Sequence, residues 1–179
     1  MVELKERAEI DKKAPPPPLY IRVFGRPRLV RALRIFDKCT VVLVALGYLA
    51  AVVTLAFCSV TDLIRLLIST AVPFLAVSVF RHLFNAPRPC ELYDLSGLTD
   101  TSVMKKGRSF PSRHVTSAHL IGSSLCFLNP VAGIIILVLG IGVGACRVLL
   151  AKHFIRDVVT GAILGSLLGC LGMLIVNIS

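Results

Sequence analysis

The chain has 179 residues, 55% of them apolar, with a formal net charge of +10 and a mean hydropathy of +0.82. That hydropathy excludes an ordinary soluble domain, and a chain this short that crosses a bilayer several times has no room for a separate soluble module. Basic charge set beside hydrophobic spans points to anionic lipid headgroups as partners and away from nucleic acid. The six cysteines show no pair at metal-ligand spacing and read as small buried hydrophobes.

Residues 1–26 begin charged and poor in large apolar side chains and then run into Pro15-Pro16-Pro17-Pro18. The expectation is a flexible tail in which the prolines form a stiff extended spacer or, alternatively, a partner-binding motif. From Pro27 the pattern changes. Leu29, Val30, Leu33 and Phe36 recur at helical spacing, while Arg28, Arg31, Arg34 and Lys38 fall elsewhere on the helix, so residues 27–38 are expected to form an interfacial amphipathic helix. The remaining chain, 39–179, is expected to be one membrane-embedded domain.

Residues 40–59 are uncharged, long enough at about 1.5 Å per residue to cross a hydrocarbon core of about 30 Å. A second span is expected over 62–84, with Pro73 as a kink. Residues 85–110 are too polar to cross and should lie at the surface. Further spans are expected over 111–128, 131–150 and 154–178, the last with Gly161, Gly165 and Gly169 at the four-residue spacing that lets helices approach closely. The fold class is therefore all-α: a polytopic membrane helical bundle of about five transmembrane helices plus the N-terminal amphipathic helix.

Threading five spans brings the end of the second, the start of the third and the junction of the fourth and fifth to one face. That face collects Arg81, His82, Arg88, Ser112, Arg113, His114, Arg147, Lys152, His153 and Asp157. A single arginine at a membrane edge is explained by snorkelling to water, whereas a convergent set of charges near hydrocarbon marks a functional site. Arginines clamp phosphate oxygens bidentately, and the helix N-terminus near Ser112 and Arg113 adds backbone N–H groups and a favourable dipole for an anion. His153 and Asp157 lie four apart on one helical face, so the carboxylate is placed to hold one ring nitrogen and free the other for attack on phosphorus; His114 is placed to protonate the leaving oxygen. His82 and His119 lack such partners and read as structural. No acidic cluster suits a bound cation, so no metal and no cofactor is expected.

These residues resemble the three-part signature of the type 2 phosphatidic acid phosphatase superfamily: Lys-x6-Arg-Pro, Pro-Ser-Gly-His and Ser-Arg-x5-His-x3-Asp. Here the segments read Arg81-x6-Arg88-Pro89, Pro111-Ser112-Arg113-His114 and Cys146-Arg147-x5-His153-x3-Asp157. The resemblance implies that His153 forms a phosphohistidine, that Asp157 orients it, that His114 is the general acid, and that Arg81, Arg88, Ser112 and Arg147 bind phosphate. Arg113, in place of the signature's glycine, adds bulk and charge at the phosphate loop; Arg81 replaces lysine and Cys146 replaces serine.

The implied activity is metal-independent removal of phosphate from a membrane lipid phosphate or diphosphate, such as a prenyl diphosphate, a phosphorylated prenyl sugar, phosphatidic acid or phosphatidylglycerophosphate. A lipid phosphotransferase using the same site and a non-enzymatic lipid-binding or transport protein are the alternatives. The family usually places its site on the periplasmic or lumenal face. In this sequence the basic residues gather with the site, so the positive-inside rule places it on the cytoplasmic face of what is expected to be a bacterial inner membrane. Oligomeric state is not legible.

Overall fold

The structure, a computed structural model, describes residues 13–99 and 106–176. Among these residues the chain forms seven helices and no strand: α1 (Pro18–Phe24), α2 (Pro27–Cys58), α3 (Val60–Phe84), α4 (Pro89–Leu92), α5 (Arg113–Cys126), α6 (Pro130–Leu149) and α7 (Ile155–Ile175). Local chemistry sets the boundaries. Pro27 and Pro130 open α2 and α6, where the missing N–H costs nothing. The extended backbone of Ser59 separates α2 from α3, and its Oγ accepts from Asp62 N at 3.3 Å. Asn129 caps α6 by accepting from Ala132 N at 3.0 Å. Asn85, in the left-handed region at φ 42°, ends α3.

Four of these helices, α2, α3, α6 and α7, are long and apolar enough to cross a membrane. Their large side chains face outward: Val42, Leu46, Leu49, Val53, Val72, Leu75, Val138, Ile163 and Leu167 are all exposed. An apolar belt of this kind would be a liability in water and is what a lipid-facing surface requires. The third of the five expected spans differs. Helix α5 has 14 residues, about 21 Å of rise, and is buried between α6 and α7 along most of its length. Its Thr116, His119, Ser123 and Ser124 therefore face protein rather than lipid.

Small residues allow that burial. A Cβ added at Gly161 would meet Ser112 O and Thr116 Oγ1 of α5 at 3.0 Å, and one at Gly165 or Gly169 would run into the α5 backbone at Thr116 and Leu120. On the opposite side a Cβ at Gly140 would lie 2.9 Å from the His119 ring. Close approach is the role of these glycines, as their spacing predicts.

The N-terminal region departs from expectation in two ways. Residues 27–38 are helical but run without a break into the first span, forming one helix of 32 residues. The expected tail, from residue 13 on, is docked: Ala14 N donates to Leu92 O at 3.0 Å and Ala14 O accepts from Asp94 N at 2.9 Å. Tyr20, Val23 and Phe24 of α1 are buried with Val30, Cys90, Leu95, Leu150 and Ala151. Apolar side chains at i, i+3 and i+4 give even this short helix a face to bury. Residues 1–12 of that tail lie outside the described residues.

At the far end of the bundle, Arg65 of α3 pairs with Asp62 at 3.2 Å and donates to Met173 O at 3.2 Å and Val176 O at 3.0 Å. The guanidinium thereby satisfies the open carbonyls that end α7. All other described lysines and arginines belong to segments at the opposite end, where the three signature segments meet.

Candidate active site

A cavity of about 1190 Å³ opens at that end, and Arg81, Arg88, Arg113, His114, Arg147 and His153 all line it, from five separate segments of chain. His82, which reads from the sequence as structural, lines it as well. Ser112 does not. It lies fully buried beneath, its N–H donating to Asp157 O at 2.8 Å and its Oγ without a hydrogen-bond partner among the described residues. His119 is buried within α5, its Nδ1 3.0 Å from Val115 O, away from the cavity.

The turn from α6 into α7 presents His153. Lys152 N and His153 N both donate to Arg147 O, at 2.9 and 3.2 Å, and Ala151 takes a left-handed conformation at φ 53° that reverses the chain. His153 is 1% exposed and Asp157, one turn on, is fully buried. The Asp157 carboxylate accepts from Phe154 N at 3.1 Å, capping the first turn of α7. It stands 3.7 Å from His153 Nδ1, too far for a direct hydrogen bond. Between them sits Ser109, whose Oγ donates to Asp157 Oδ2 and lies 3.3 Å from His153 Nδ1. Burial pushes the His153 imidazole below its ordinary pKa, with Asp157 pulling the other way and Arg88 and Arg81 adding to the fall. The ring is therefore unprotonated at neutral pH, the form in which a nitrogen lone pair is available.

The arginines hold the surrounding backbone as well as facing the cavity. Arg81, 7% exposed, donates to the carbonyls of Ser109 and Arg108, at 3.1 Å to the former. Arg88 donates from Nε to Gly107 O at 2.8 Å and from Nη1 to Lys152 O at 3.2 Å, joining the loop before α5 to the turn before α7. Burial also lowers the Arg88 pKa, because its charge is poorly solvated there. Glu91 accepts from both Arg88 N, at 2.8 Å, and Gly107 N, at 2.7 Å. Gly107 is itself required: its φ is +62°, and a Cβ there would lie 2.5 Å from Asn85 Oδ1.

Arg147 has a partner that the sequence did not disclose. Asp37 of α2, 2% exposed, accepts from Arg147 Nε at 2.9 Å and from Lys152 Nζ at 2.7 Å. One buried carboxylate thus holds both ends of the turn that carries His153. With Nε committed, the two Nη groups of Arg147 remain for an anion in the cavity. A signal for Asp37 was present, since it is the one acidic residue among the cations of residues 27–38. Ser109, a small polar residue in a loop, carried none.

Chemically the arrangement offers an unprotonated imidazole, a second imidazole at the N-terminus of α5 and several guanidinium groups around a space open to one face. Among the described residues no three His, Cys, Asp or Glu side chains come together to hold a metal ion.

The family model described as the PAP2 superfamily matches residues 62–179. No curated protein matches the chain. Among solved structures, a crystal structure of Aquifex aeolicus LpxE is similar in fold, with a TM-score of 0.67 and 21% identity over 87% of this chain and 92% of that one. Asp37 and the whole of α1 and α2 precede the segment that the family model covers, whereas the fold likeness spans most of the chain.

Proposed function

Because the chain belongs to the PAP2 superfamily, we propose that this phosphatase is metal-independent, acts on a lipid phosphate or diphosphate within the bilayer, and proceeds through a phosphohistidine on His153. The observation that carries the reading is the buried His153 gathered with Arg81, Arg88 and Arg147 around one cavity at one end of a helical bundle.

In this account the substrate phosphate enters the cavity with its lipid chain along the apolar belt. The guanidinium groups take its non-bridging oxygens and offset the charge that builds as the P–O bond breaks. Nε2 of His153 attacks phosphorus in line, a P–N bond forms, and the P–O bond to the lipid breaks as His114 gives the departing oxygen a proton. Water then attacks the phosphohistidine, His114 takes the proton from that water, and the P–N bond breaks to release inorganic phosphate. Arg113 sets a further cation at the rim, and Ser112 fixes the loop through its bond to Asp157 O. The excess of cations around the cavity favours an anion and opposes a bound metal ion.

The site is assigned to the cytoplasmic face of a bacterial inner membrane, on the positive-inside argument. The proposal is tested with purified protein in detergent, offered prenyl diphosphates, phosphatidic acid and phosphatidylglycerophosphate with excess chelator. Phosphate release that His153→Ala reduces by about 1000-fold or more is expected. Release that needs added divalent metal, or that survives in His153→Ala, would overturn it.

A further inference from the structure

Asp157 lies 3.7 Å from the nitrogen it is expected to orient, beyond hydrogen-bond reach, and the hydroxyl of Ser109 fills the interval. We propose that Ser109 is a positioning residue, which relays Asp157 to His153 and keeps the imidazole in the tautomer with its proton on Nδ1. The inference rests on the reading of His153 as the nucleophile.

A serine hydroxyl has one proton. Ser109 Oγ donates that proton to Asp157 Oδ2, so toward His153 Nδ1, 3.3 Å away, it presents only lone pairs. The contact is favourable only if Nδ1 carries the hydrogen. A neutral imidazole has one N–H, so Nε2 is left with the lone pair that attack on phosphorus needs. The reverse orientation, with the hydroxyl donating to Nδ1, would set its oxygen lone pairs against the carboxylate and place the ring proton on Nε2. That state is both repulsive and unreactive.

The position of Ser109 is fixed from both sides. Its N–H donates to Ala86 O at 2.9 Å and its carbonyl accepts from Arg81 Nη1 at 3.1 Å. Arg81 therefore sets the hydroxyl as well as facing the cavity. Ser109 is fully buried and does not line the cavity, so it acts through His153 and not on substrate.

The charged and titratable groups that face His153 are Arg81 of α3, Arg88 before α4, His114 of α5 and Asp157 of α7, with Lys152 adjacent in the chain. Tyr20 of α1, its pKa raised to about 12 by burial with the charges of Tyr93 and Asp157 adding, stays neutral. Arginine keeps its charge throughout the neutral range, so a change in the acid limb on altering Ser109 reports on the ring of His153.

Two measurements test the relay. The first is the ¹⁵N shift of the His153 ring nitrogens in detergent micelles, assigned by difference from His153→Asn. The parent should show the Nδ1–H tautomer, and Ser109→Ala a mixture. A parent in the Nε2–H form, or a Ser109→Ala spectrum identical to the parent's, overturns the inference whether or not any lipid is turned over. The second is steady-state phosphate release. Loss of the tautomer in a hydrolytic triad costs about 10⁴-fold; with Asp157 still close, Ser109→Ala should lower kcat about 10- to 100-fold and leave KM within about twofold.

The acid limb should also move up, because the carboxylate then stabilises the imidazolium directly. Ser109→Thr, which keeps the hydroxyl, should recover most of the rate. Parental kcat and acid limb in a folded Ser109→Ala protein would contradict the relay. Loss of release in the parent itself would instead count against the phosphatase reading and leave the tautomer result to decide this one.

Discussion

Asp37 shows how a single carboxylate organises charge that would otherwise repel. It is 2% exposed and takes one hydrogen bond from Arg147 and one from Lys152, residues that bracket the turn presenting His153. Removing it leaves two cations next to each other, with Arg147 largely shielded from water. Breaking a buried pair in this way costs about 3–5 kcal/mol, and the partial exposure of Lys152 favours the lower end. Asp37→Ala should therefore lose about 3 kcal/mol of unfolding free energy, read as a fall in the thermal midpoint of the detergent-solubilised protein. A variant as stable as the parent would show that the three groups are not coupled.

His153, Asp157, His114 and the arginines were legible because their spacing along the chain carries the signature. Asp37 reaches Arg147 across 110 residues and Ser109 reaches Asp157 across 48, distances over which no periodicity or motif announces a contact. Ser112 shows the converse: it belongs to a legible motif, yet its hydroxyl is buried beneath the cavity and not in it.

The helices divide by what surrounds them. Uncharged runs of twenty residues declare themselves, because lipid demands apolar side chains on every outward face. Helix α5 obeys a different rule. It is enclosed by α6 and α7, so it carries Thr116, His119, Ser123 and Ser124 and needs only 14 residues. Its existence was readable from sequence and its shortness was not. Helix α1 was missed because a charged, proline-rich composition outweighed three apolar residues, Tyr20, Val23 and Phe24, whose spacing already marked one face.

Packing of α5 against α7 depends on glycines that admit no Cβ. Gly165→Ala would drive a methyl group against Thr116 O and the His119 side chain. The expected loss is about 1–3 kcal/mol, with activity falling as α5 and its His114 shift. Gly97→Ala, with nothing within 4 Å of the added Cβ, should be neutral in the same unfolding assay. Equal effects at the two positions would refute close packing as the role of Gly165.

For the molecule as a whole, charge is segregated along the bundle axis. Arg65 and Asp62 pair at one end; the remaining described cations, the cavity and α1 gather at the other. Asp37, near the start of α2, pairs with Arg147 and Lys152, so that part of α2 lies at the same end as the site. The proposal that the cavity opens toward the cytoplasm rests on the positive-inside rule. A cysteine introduced at the open position Gly97, in a background with Cys39 and Cys58 replaced by serine, should resist a membrane-impermeant thiol reagent in intact cells and react after permeabilisation. Rapid labelling of intact cells would place the site on the outer face.

In the proposed mechanism phosphate passes through a covalent bond to Nε2 of His153. Purified protein mixed for milliseconds with a phosphorus-labelled lipid phosphate, then quenched in base and digested, should yield a single labelled peptide carrying His153. That label should be stable to base, be lost in acid, and be absent from His153→Asn. Label on a serine or on His114, or full turnover with no labelled protein at any quench time, would contradict it.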